Sequence, residues 1–460
     1  MQLTNDLLDK WDRDHFIHPL TPLGSMERGQ FPTRIVSTGD GVYITDRNGR
    51  RFLDAFAGLF CVNVGYGRKE IAEAMAEQAH KLAYYIAYIG HSTEASVTLA
   101  HMVAERTPPG LNHVYFGLGG SDANETNIKF VWYYNNLLGR PKKKKIISRW
   151  RAYHGATIMA GSLTGLAPFH QLFDLPLDTV RHTVAPYYYR RPPEQESLSE
   201  QEFSKFCAEM LEKLILDEGP DTVAAFIGEP LLGTGGIVPP PKGYWPAIQA
   251  VLKKYDVLLI ADEVATGFGR LGEMFGTTVY DLDPDLMTIA KGITSAYAPL
   301  SGTVVHDRIW KVMVEGSDQY GPLFHGTTYS AHPVSAAAGV ANLKLLDELG
   351  LVANAKATGV YLLSALRDAF ANHPHVGDIR GEGLLGCIEL VKDRASRTFF
   401  DPEQKIAHSI VDQMLDMGVI ARAMPQNDVL GFAPPLCLTR DEVDMIVATT
   451  RRALHKVLSV

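Results

Sequence analysis

Residues 224–229 read AAFIGE, residues 257–262 read VLLIAD and residues 287–291 read MTIAK, and each apolar run ends in one ionisable residue. None of the three runs alternates polar and apolar residues, so each predicts a strand that is buried on both faces. Strands of this kind are typical of a parallel sheet that is covered by helices. The segment therefore predicts an α/β fold with a large central sheet.

The three ionisable residues, Glu229, Asp262 and Lys291, are expected to meet in one pocket, because open parallel sheets bind ligands at the carboxyl ends of their strands. A lysine that ends an apolar run is poorly solvated, which lowers its pKa and favours the neutral amine that forms a Schiff base. A lysine imine and an aspartate that faces a protonated ring nitrogen are the pair expected in pyridoxal 5'-phosphate (PLP) enzymes. Structural salt bridges at the rim of the sheet remain the alternative for each residue taken singly.

A glycine-rich segment upstream, residues 117–122 (GLGGSD), is a candidate phosphate site. Its glycines let backbone N–H groups approach an anion, and the helical stretch that follows favours negative charge at its N-terminus. Asp122 and Glu125 have the spacing of a capping box. The segment lacks the lysine of a P-loop and the last glycine of a dinucleotide fingerprint, while a purely structural glycine turn stays open.

The composition limits the class of protein. The formal net charge of −8 gives no support for a nucleic-acid or anionic-membrane partner, and the run Lys142–Lys145 is predicted to be a solvated loop that leads into a strand. Four scattered cysteines without a C-x-x-C pair favour free thiols over disulfides or a metal site. The first residues lack the apolar core of a signal peptide, and no apolar stretch is long enough to span a membrane, so we predict a cytoplasmic protein.

The order of the patterns along the chain predicts two lobes, as expected for 460 residues. Residues 41–56 alternate around Asn48-Gly49, a two-residue turn signal, and predict a hairpin. Helical and apolar runs alternate from about residue 70 to Pro333, after which the chain is mainly helical. We therefore predict that residues 1–65 join the small domain, that 66–333 form the large cofactor-binding domain, and that 334–460 form the C-terminal small domain, an α+β lobe built from both termini.

Several longer motifs resemble the class III (ω-) aminotransferases, which are PLP-dependent enzymes of fold type I. They lie in the family's order over nearly the whole chain: GGSDANE (119–125), RAYHGAT (151–157), EPLLGTGGIVPPPKGY (229–244), LLIADEVATGFGRLG (258–272), PDLMTIAKGITSAYAPLSG (284–302), HGTTYSAHP (325–333) and RGEGLLG (380–386). The resemblance implies a fold type I transferase with a mostly parallel central sheet and a smaller domain. It also implies transfer of an amino group from a primary amine or ω-amino compound to a 2-oxo acid such as pyruvate, by a ping-pong mechanism.

The resemblance also implies roles for individual residues. Lys291 would hold the cofactor as an internal aldimine and move a proton, and Asp262 would pair with the pyridine nitrogen. Tyr153 and Val264 would cover the two ring faces, and Glu229 would orient Asp262 or the ring hydroxyl side.

The phosphate would be held by Gly120 and Ser121, joined by Thr328 of the partner subunit, so that the protein would be a homodimer with each active site at the interface. His154 would serve packing or a hydrogen bond near the cofactor. Taken alone, Tyr153 could equally be a core tyrosine, and Thr328 a turn residue.

Five positions bear on the substrate, one of which is Tyr153. Arg422 matches an arginine that many ω-aminotransferases use as a movable clamp for the carboxylate of the acceptor. Phe60 stands where many relatives have tryptophan, and Tyr88 and Thr234 are polar where some have phenylalanine and alanine. These departures put the amine specificity in doubt, though not the reaction. An aminomutase or dialkylglycine decarboxylase on the same fold, or a non-enzymatic binding protein, remain the competing hypotheses.

Overall fold

The N-terminal part of the chain forms two helices and three strands of an antiparallel sheet. In this computed structural model, which describes residues 4–31, 33–426 and 428–459, these elements are α1 (Asn5–His15), α2 (Leu23–Glu27), β1 (Val36–Asp40), β2 (Tyr43–Asp46) and β3 (Arg51–Asp54). Antiparallel pairing of β2 with β3 confirms the predicted hairpin. The predicted two-residue turn is wrong, because the N–H of Asp46 donates to the carbonyl of Arg50 at 3.0 Å and leaves a three-residue loop. Only Gly49 in this loop has positive φ, +79°.

The large central sheet has seven strands in the order β4-β10-β9-β8-β7-β5-β6. Its strands are β4 (Leu111–Gly117), β5 (Lys145–Arg149), β6 (Val180–Thr183), β7 (Val223–Gly228), β8 (Leu258–Asp262), β9 (Leu286–Ile289) and β10 (Ser301–His306). The pairs β6–β5, β5–β7, β7–β8 and β8–β9 are parallel, and β10 runs antiparallel to both β9 and β4. The sheet is therefore mostly parallel, as predicted.

Helices cover both faces of this sheet. The helices of this part are α3 (Ala57–Phe60), α4 (Lys69–Leu82), α5 (Glu94–Ala104), α6 (Gly120–Leu137), α7 (Ile158–Leu163), α8 (Glu200–Glu218), α9 (Tyr244–Lys254), α10 (Gly276–Val279) and α11 (Asp307–Tyr320). Along β8, Leu258 and Ile260 share a core with α6 and α11, whereas Leu259 and Ala261 share a core with α8 and α9. Burial on both faces explains why the strand sequences show no alternation.

The C-terminal part forms a smaller lobe with a four-stranded sheet in the order β11-β12-β15-β14. Its elements are α12 (Pro333–Glu348), α13 (Leu351–Phe370), β11 (Val376–Glu382), β12 (Leu385–Leu390), α14 (Ile406–Asp416), β13 (Val419–Ile420), β14 (Arg422–Ala423), β15 (Val429–Phe432) and α15 (Arg440–Leu458). Strand β13 pairs in parallel with β3, so the two ends of the chain meet in one sheet. The exact domain boundaries stay a prediction.

Three further features of the described chain bear on the predictions made from composition. No single helix is long and apolar enough to cross a membrane, and α12 with α13 passes the length and composition test only as a pair bent by 60°. All four cysteines are free, as predicted. The prediction of a solvated loop is wrong for Lys143. This side chain is buried, and its Nζ donates to the carbonyl of Asp256 at 2.6 Å.

Candidate active site

The carboxyl ends of the central strands surround one cavity of about 370 Å³. Glu229 directly follows β7, Asp262 is the last residue of β8, and Lys291 lies two residues beyond β9. Nine of the predicted site residues line the cavity: Gly120, Ser121, Tyr153, His154, Thr234, Asp262, Val264, Lys291 and Arg422. Residues more than 300 positions apart in the sequence thus share one pocket.

Asp262 is the best-anchored group of the site. It is 2% exposed, and its Oδ2 accepts from Asn124 Nδ2 at 2.9 Å and lies 2.7 Å from His154 Nδ1. Its Oδ1 accepts from the N–H of Val264 at 3.1 Å. Donors to a carboxylate stabilise its charged form, and so this arrangement holds a fixed negative charge at the wall of the cavity. Asn124 was missed by the sequence reasoning, although it lies in the GGSDANE motif.

Lys291 reaches the cavity from a strained backbone position, with φ of +48° in the left-handed region. Its Nζ lies 5.0 Å from the centre of the Phe60 ring. Burial lowers the pKa of Lys291, and the nearby Asp262 and Glu229 oppose this shift only in part. The amine is therefore more readily neutral, and so more nucleophilic, than an exposed lysine.

Glu229 contacts the walls of the cavity, and no hydrogen bond among the described residues joins it to Asp262. Its Oε1 accepts from the N–H of Tyr153 at 3.0 Å, and its Oε2 accepts from the N–H of Gly233 at 2.8 Å. Burial raises the pKa of Glu229. Glu229 thus joins two loops, one carrying Tyr153 and the other carrying Thr234.

A second residue behind this wall, Arg149 at the end of β5, was also missed by the sequence reasoning. It is fully buried, and its Nη2 donates to the backbone carbonyl of Glu229 at 2.6 Å. Its guanidinium lies 5.2 Å from the ring centre of Trp245. Arg149 therefore fixes the backbone of Glu229 at the point where β7 ends beside the cavity.

The glycine-rich segment lies at the N-terminus of α6, but the predicted capping box is wrong. The helix begins at Gly120, and Asp122 accepts from the N–H groups of Leu118 at 2.9 Å and Gly119 at 2.5 Å. Glu125 instead accepts from Thr157 Oγ1 at 2.6 Å and so holds the start of α7. The helix starts one turn earlier than expected because Asp122 folds back onto the loop.

This helix terminus has the form of an anion cradle. The first N–H groups of an α-helix have no intrahelical acceptor and carry partial positive charge. At Gly120 a Cβ would lie 3.0 Å from Val264, so only glycine lets the backbone approach that wall freely. Ser121 Oγ accepts from the N–H of Ala156 at 3.1 Å, which aligns the loop that carries His154.

Arg422, the first residue of β14, is a cavity cation without an acidic partner. Its guanidinium lies 5.6 Å from the ring centre of Phe56, and no carboxylate of the described residues forms a salt bridge with it. Burial lowers the pKa of Arg422, although an arginine remains charged at neutral pH. A substrate carboxylate would find an available partner here.

Besides Glu229, three predicted site residues lie outside the lining of the cavity. Phe60 is buried and packs near Lys291. Tyr88 is 37% exposed, and Thr328 is exposed with its carbonyl accepting from Tyr84 Oη at 2.7 Å. Tyr88 also packs closely against Gly326, so Tyr88 and Thr328 share one surface of the subunit. Their functional roles stay predictions.

The mouth of the cavity is lined by apolar residues that sequence reasoning did not find. Leu20, Leu59 and Phe169 line it, and the Phe169 ring lies edge-on to Tyr153 at 5.3 Å between ring centres. Leu20 comes from the N-terminal segment, and no sequence motif marks it. Among the described residues, no group of three or more His, Cys, Asp or Glu side chains could hold a metal ion.

The geometry of a strand-end lysine, an anchored aspartate and a helix-terminus cradle is matched by known proteins. The profile of the family described as "Aminotransferase class-III" matches residues 25–454. The chain belongs to this family. It is 56% identical over 457 residues to a diaminobutyrate–2-oxoglutarate transaminase of Halomonas elongata, with 99% of this chain and 97% of the relative covered.

Two further comparisons extend this result. A putrescine–pyruvate aminotransferase of Pseudomonas aeruginosa is 40% identical over 459 residues, covering 99% of this chain and 98% of that protein. The crystal structure of the ω-transaminase from Pseudomonas jessenii in complex with PMP has a TM-score of 0.95, 39% identity and 98% coverage of both chains. The protein is thus a class III aminotransferase with the fold of PLP-dependent type I enzymes.

The residues present fit PLP, the cofactor of this family. A lysine amine whose pKa is lowered by burial suits covalent attachment, the anchored Asp262 suits a protonated ring nitrogen, and the start of α6 suits a phosphate. His154 Nε2 is a buried polar atom with no hydrogen-bond partner within the described chain. The carbonyl, the ring nitrogen and the phosphate of the cofactor would each meet a group of complementary chemistry.

Proposed function

We propose that this aminotransferase moves an amino group from a primary amine or ω-amino compound to a 2-oxo acid such as pyruvate, in two half-reactions that share one cavity. The observation that carries the proposal is the meeting of Lys291, Asp262 and an unpaired Arg422 in that cavity. A lysine and an aspartate alone would serve many PLP enzymes. The free guanidinium adds a place for the carboxylate of the acceptor.

Bound PLP supplies an electron-withdrawing ring that stabilises negative charge on the substrate carbon. Lys291, whose pKa is lowered by burial, would hold this group, and its Nζ would accept the proton that the substrate carbon loses. Asp262, fixed by Asn124 and His154, keeps the ring nitrogen protonated. Tyr153 and Val264, which both line the cavity, would cover the two faces of the ring.

Gly120 and Ser121 would bind the phosphate at the start of α6, where the first N–H groups of a helix have no intrahelical acceptor. We propose that Thr328 of the partner subunit completes this phosphate site in a homodimer. The exposed position of Thr328, away from the cavity of its own chain, supports that assignment. Tyr88 shares the same surface, so it would also reach the substrate of the other subunit.

Arg422 binds the carboxylate of the oxo acid and releases it when an amine with an uncharged tail enters. Asp262 is the only carboxylate among the described residues that line the cavity. Its oxygens already accept hydrogen bonds from Asn124 and from the N–H of Val264. A second ammonium on the donor would therefore find no free carboxylate among the described residues that line the cavity. This favours amines with an apolar tail, or ω-amino acids that use Arg422, over short diamines.

An absorbance experiment tests the proposal. The purified protein with PLP is mixed with a primary amine, and pyruvate is added after removal of excess amine. We expect the visible cofactor band to bleach with the amine and return with pyruvate. Release of carbon dioxide or an isomerised amine would instead indicate a decarboxylase or aminomutase, and no cofactor band would indicate a binding protein.

A further inference from the structure

The loop of residues 233–238, which forms the wall beside Thr234, has a strained backbone. Leu232 and Val238 close its base with two backbone hydrogen bonds of 3.1 and 2.8 Å. Ile237 has φ of +50°, a region that β-branched residues rarely adopt. Such strain persists only where the surroundings fix the backbone. The loop must therefore be held by groups outside it.

Two arginines hold three successive carbonyl groups of this loop. Arg151 Nε donates to the carbonyl of Gly235 at 2.9 Å. Arg380 donates from Nη2 to the carbonyl of Gly236 at 2.6 Å and from Nε to that of Ile237 at 2.9 Å. Arg380 thus binds both carbonyls next to the strained residue, and its planar fork suits this double contact.

Arg380 lies on β11 of the C-terminal lobe and is itself fixed. Its Nη1 donates to Glu389 at 2.6 Å and to Asp378 at 2.9 Å, and Glu389 is fully buried. The centre of the Tyr187 ring lies 4.8 Å from the guanidinium of Arg151 and 4.8 Å from that of Arg380, and its hydroxyl donates to Glu389. Loop, strand and arginines therefore form one buried array.

We propose that Arg380 is a positioning residue for amine selectivity. It holds the strained loop where Thr234 forms the cavity wall, so that the docking of the C-terminal lobe sets the space beside the substrate. The expected effect on amine selectivity rests on the proposed transamination. The positioning itself is a property of the folded protein and is measured without turnover.

Hydrogen–deuterium exchange of the purified protein tests the positioning. Arg380→Lys keeps the charge, but one ammonium cannot bind both carbonyls and Glu389 in the same geometry. Arg190→Lys is the matched control, because Arg190 Nε donates to the same Glu389 at 2.6 Å and, within the described part of the chain, no hydrogen bond joins Arg190 to the loop. We expect amides of residues 233–238 to exchange about tenfold faster in Arg380→Lys and unchanged in Arg190→Lys. Equal changes in both variants, or none in Arg380→Lys, would overturn the proposal.

Kinetics test the consequence for substrates. The ratio of kcat/KM for a bulky amine over a small amine, with pyruvate as acceptor, should shift about tenfold in Arg380→Lys and less than about twofold in Arg190→Lys. In a Thr234→Ala background the Arg380→Lys shift should largely vanish, because the positioned side chain is gone. An unchanged ratio in active Arg380→Lys enzyme would refute the selectivity role. Absence of transamination in the wild type would instead refute the proposed function and leave the exchange result standing.

Discussion

At the scale of single residues, the charge of Asp262 is the feature on which the cofactor chemistry depends most. Three donors, Asn124, His154 and the N–H of Val264, surround the carboxylate and leave it little freedom to move. A carboxylate so fixed requires no reorganisation when charge develops on the ring, which is the basis of electrostatic catalysis.

Asp262→Asn should bind PLP but slow the amine half-reaction about a hundredfold, since one lost charge-assisted interaction is worth about 3 kcal/mol. Stopped-flow absorbance of the half-reaction measures this rate. Asp285→Asn is the control, because Asp285 is a buried carboxylate at the start of β9 and pairs with Arg308 outside the cavity. A change of less than about threefold in Asp262→Asn would show that the pairing is wrong.

Arg422→Ala should affect only one half-reaction. The KM for pyruvate should rise by about tenfold or more, because the oxo acid loses a bidentate partner. The half-reaction with an uncharged amine should change little, and Arg422→Lys should restore pyruvate binding only in part. Steady-state and single-turnover kinetics separate the two effects. Equal damage to both half-reactions would assign Arg422 a structural role.

Sequence reasoning found the ionisable residues that follow the apolar runs of β7, β8 and β9, and it missed Asn124 and Arg149, which hold two of these residues in place. Lys291 and Asp262 are conspicuous because each interrupts an apolar run. Asn124 lies inside a helix and Arg149 at the end of a strand, and neither pattern signals a contact with the site. Their importance comes from contacts with residues about 80 to 138 positions away, which local patterns do not encode.

At the scale of elements, strand positions were predicted well and helix starts less well. The apolar runs of β7, β8 and β9 are continuous because both faces are buried. The predicted start of α6 was too late in the sequence. Asp122 is the third residue of the helix, and its carboxylate accepts hydrogen bonds from N–H groups of the preceding loop. Lys143 was predicted to be solvated, but the carbonyl of Asp256, 113 residues away, binds it.

Glu389→Gln tests the buried ion array between the lobes. Burial alone would raise the pKa of Glu389, but Arg380 and Arg190 hold it below its ordinary value. Removing this charge should lower the free energy of unfolding by about 3–5 kcal/mol at pH 7, because it leaves buried arginines without their partner. Urea unfolding measures the loss.

The pH dependence of this effect has a definite sign. Because the pKa of Glu389 is lower in the folded state, its contribution is present at neutral pH and is lost as pH falls through the folded value. The difference between wild type and Glu389→Gln should therefore shrink in acid. Glu196→Gln, which removes an exposed partner of Arg397, should cost less than about 1 kcal/mol. Equal losses in both variants would contradict the account of the array.

At the scale of the whole molecule, the two lobes were predictable but their junction was not. In the central part of the sequence helical and apolar runs alternate, whereas the C-terminal part is mainly helical. This difference in pattern predicts two lobes. The parallel pair Val419 with Leu53 joins two short strands from opposite ends of the chain, and neither strand has a distinctive pattern. The domain boundaries and the cytoplasmic location stay predictions.

The proposed homodimer predicts a specific effect of Thr328→Ala. Loss of one hydroxyl donor to the phosphate should weaken PLP binding about tenfold, measured by cofactor release during dialysis. Thr327→Ala is the matched control, because Thr327 Oγ1 lies 2.9 Å from Ser330 Oγ within its own chain. Sedimentation should give a dimer for both variants. A monomeric wild type that retains PLP, or equal PLP loss in both variants, would contradict the assignment.

The most direct test of the central claim is the absorbance cycle of the wild type beside that of Lys291→Ala. With PLP bound, the wild type should lose its visible band on addition of a primary amine and recover it with pyruvate, over repeated cycles. Lys291→Ala should fold with an unchanged circular dichroism spectrum but show no catalytic cycling, because the amine that holds the cofactor and carries the proton is gone. Sustained cycling by Lys291→Ala at a substantial fraction of the wild-type rate would contradict the assignment of this cavity as the active site.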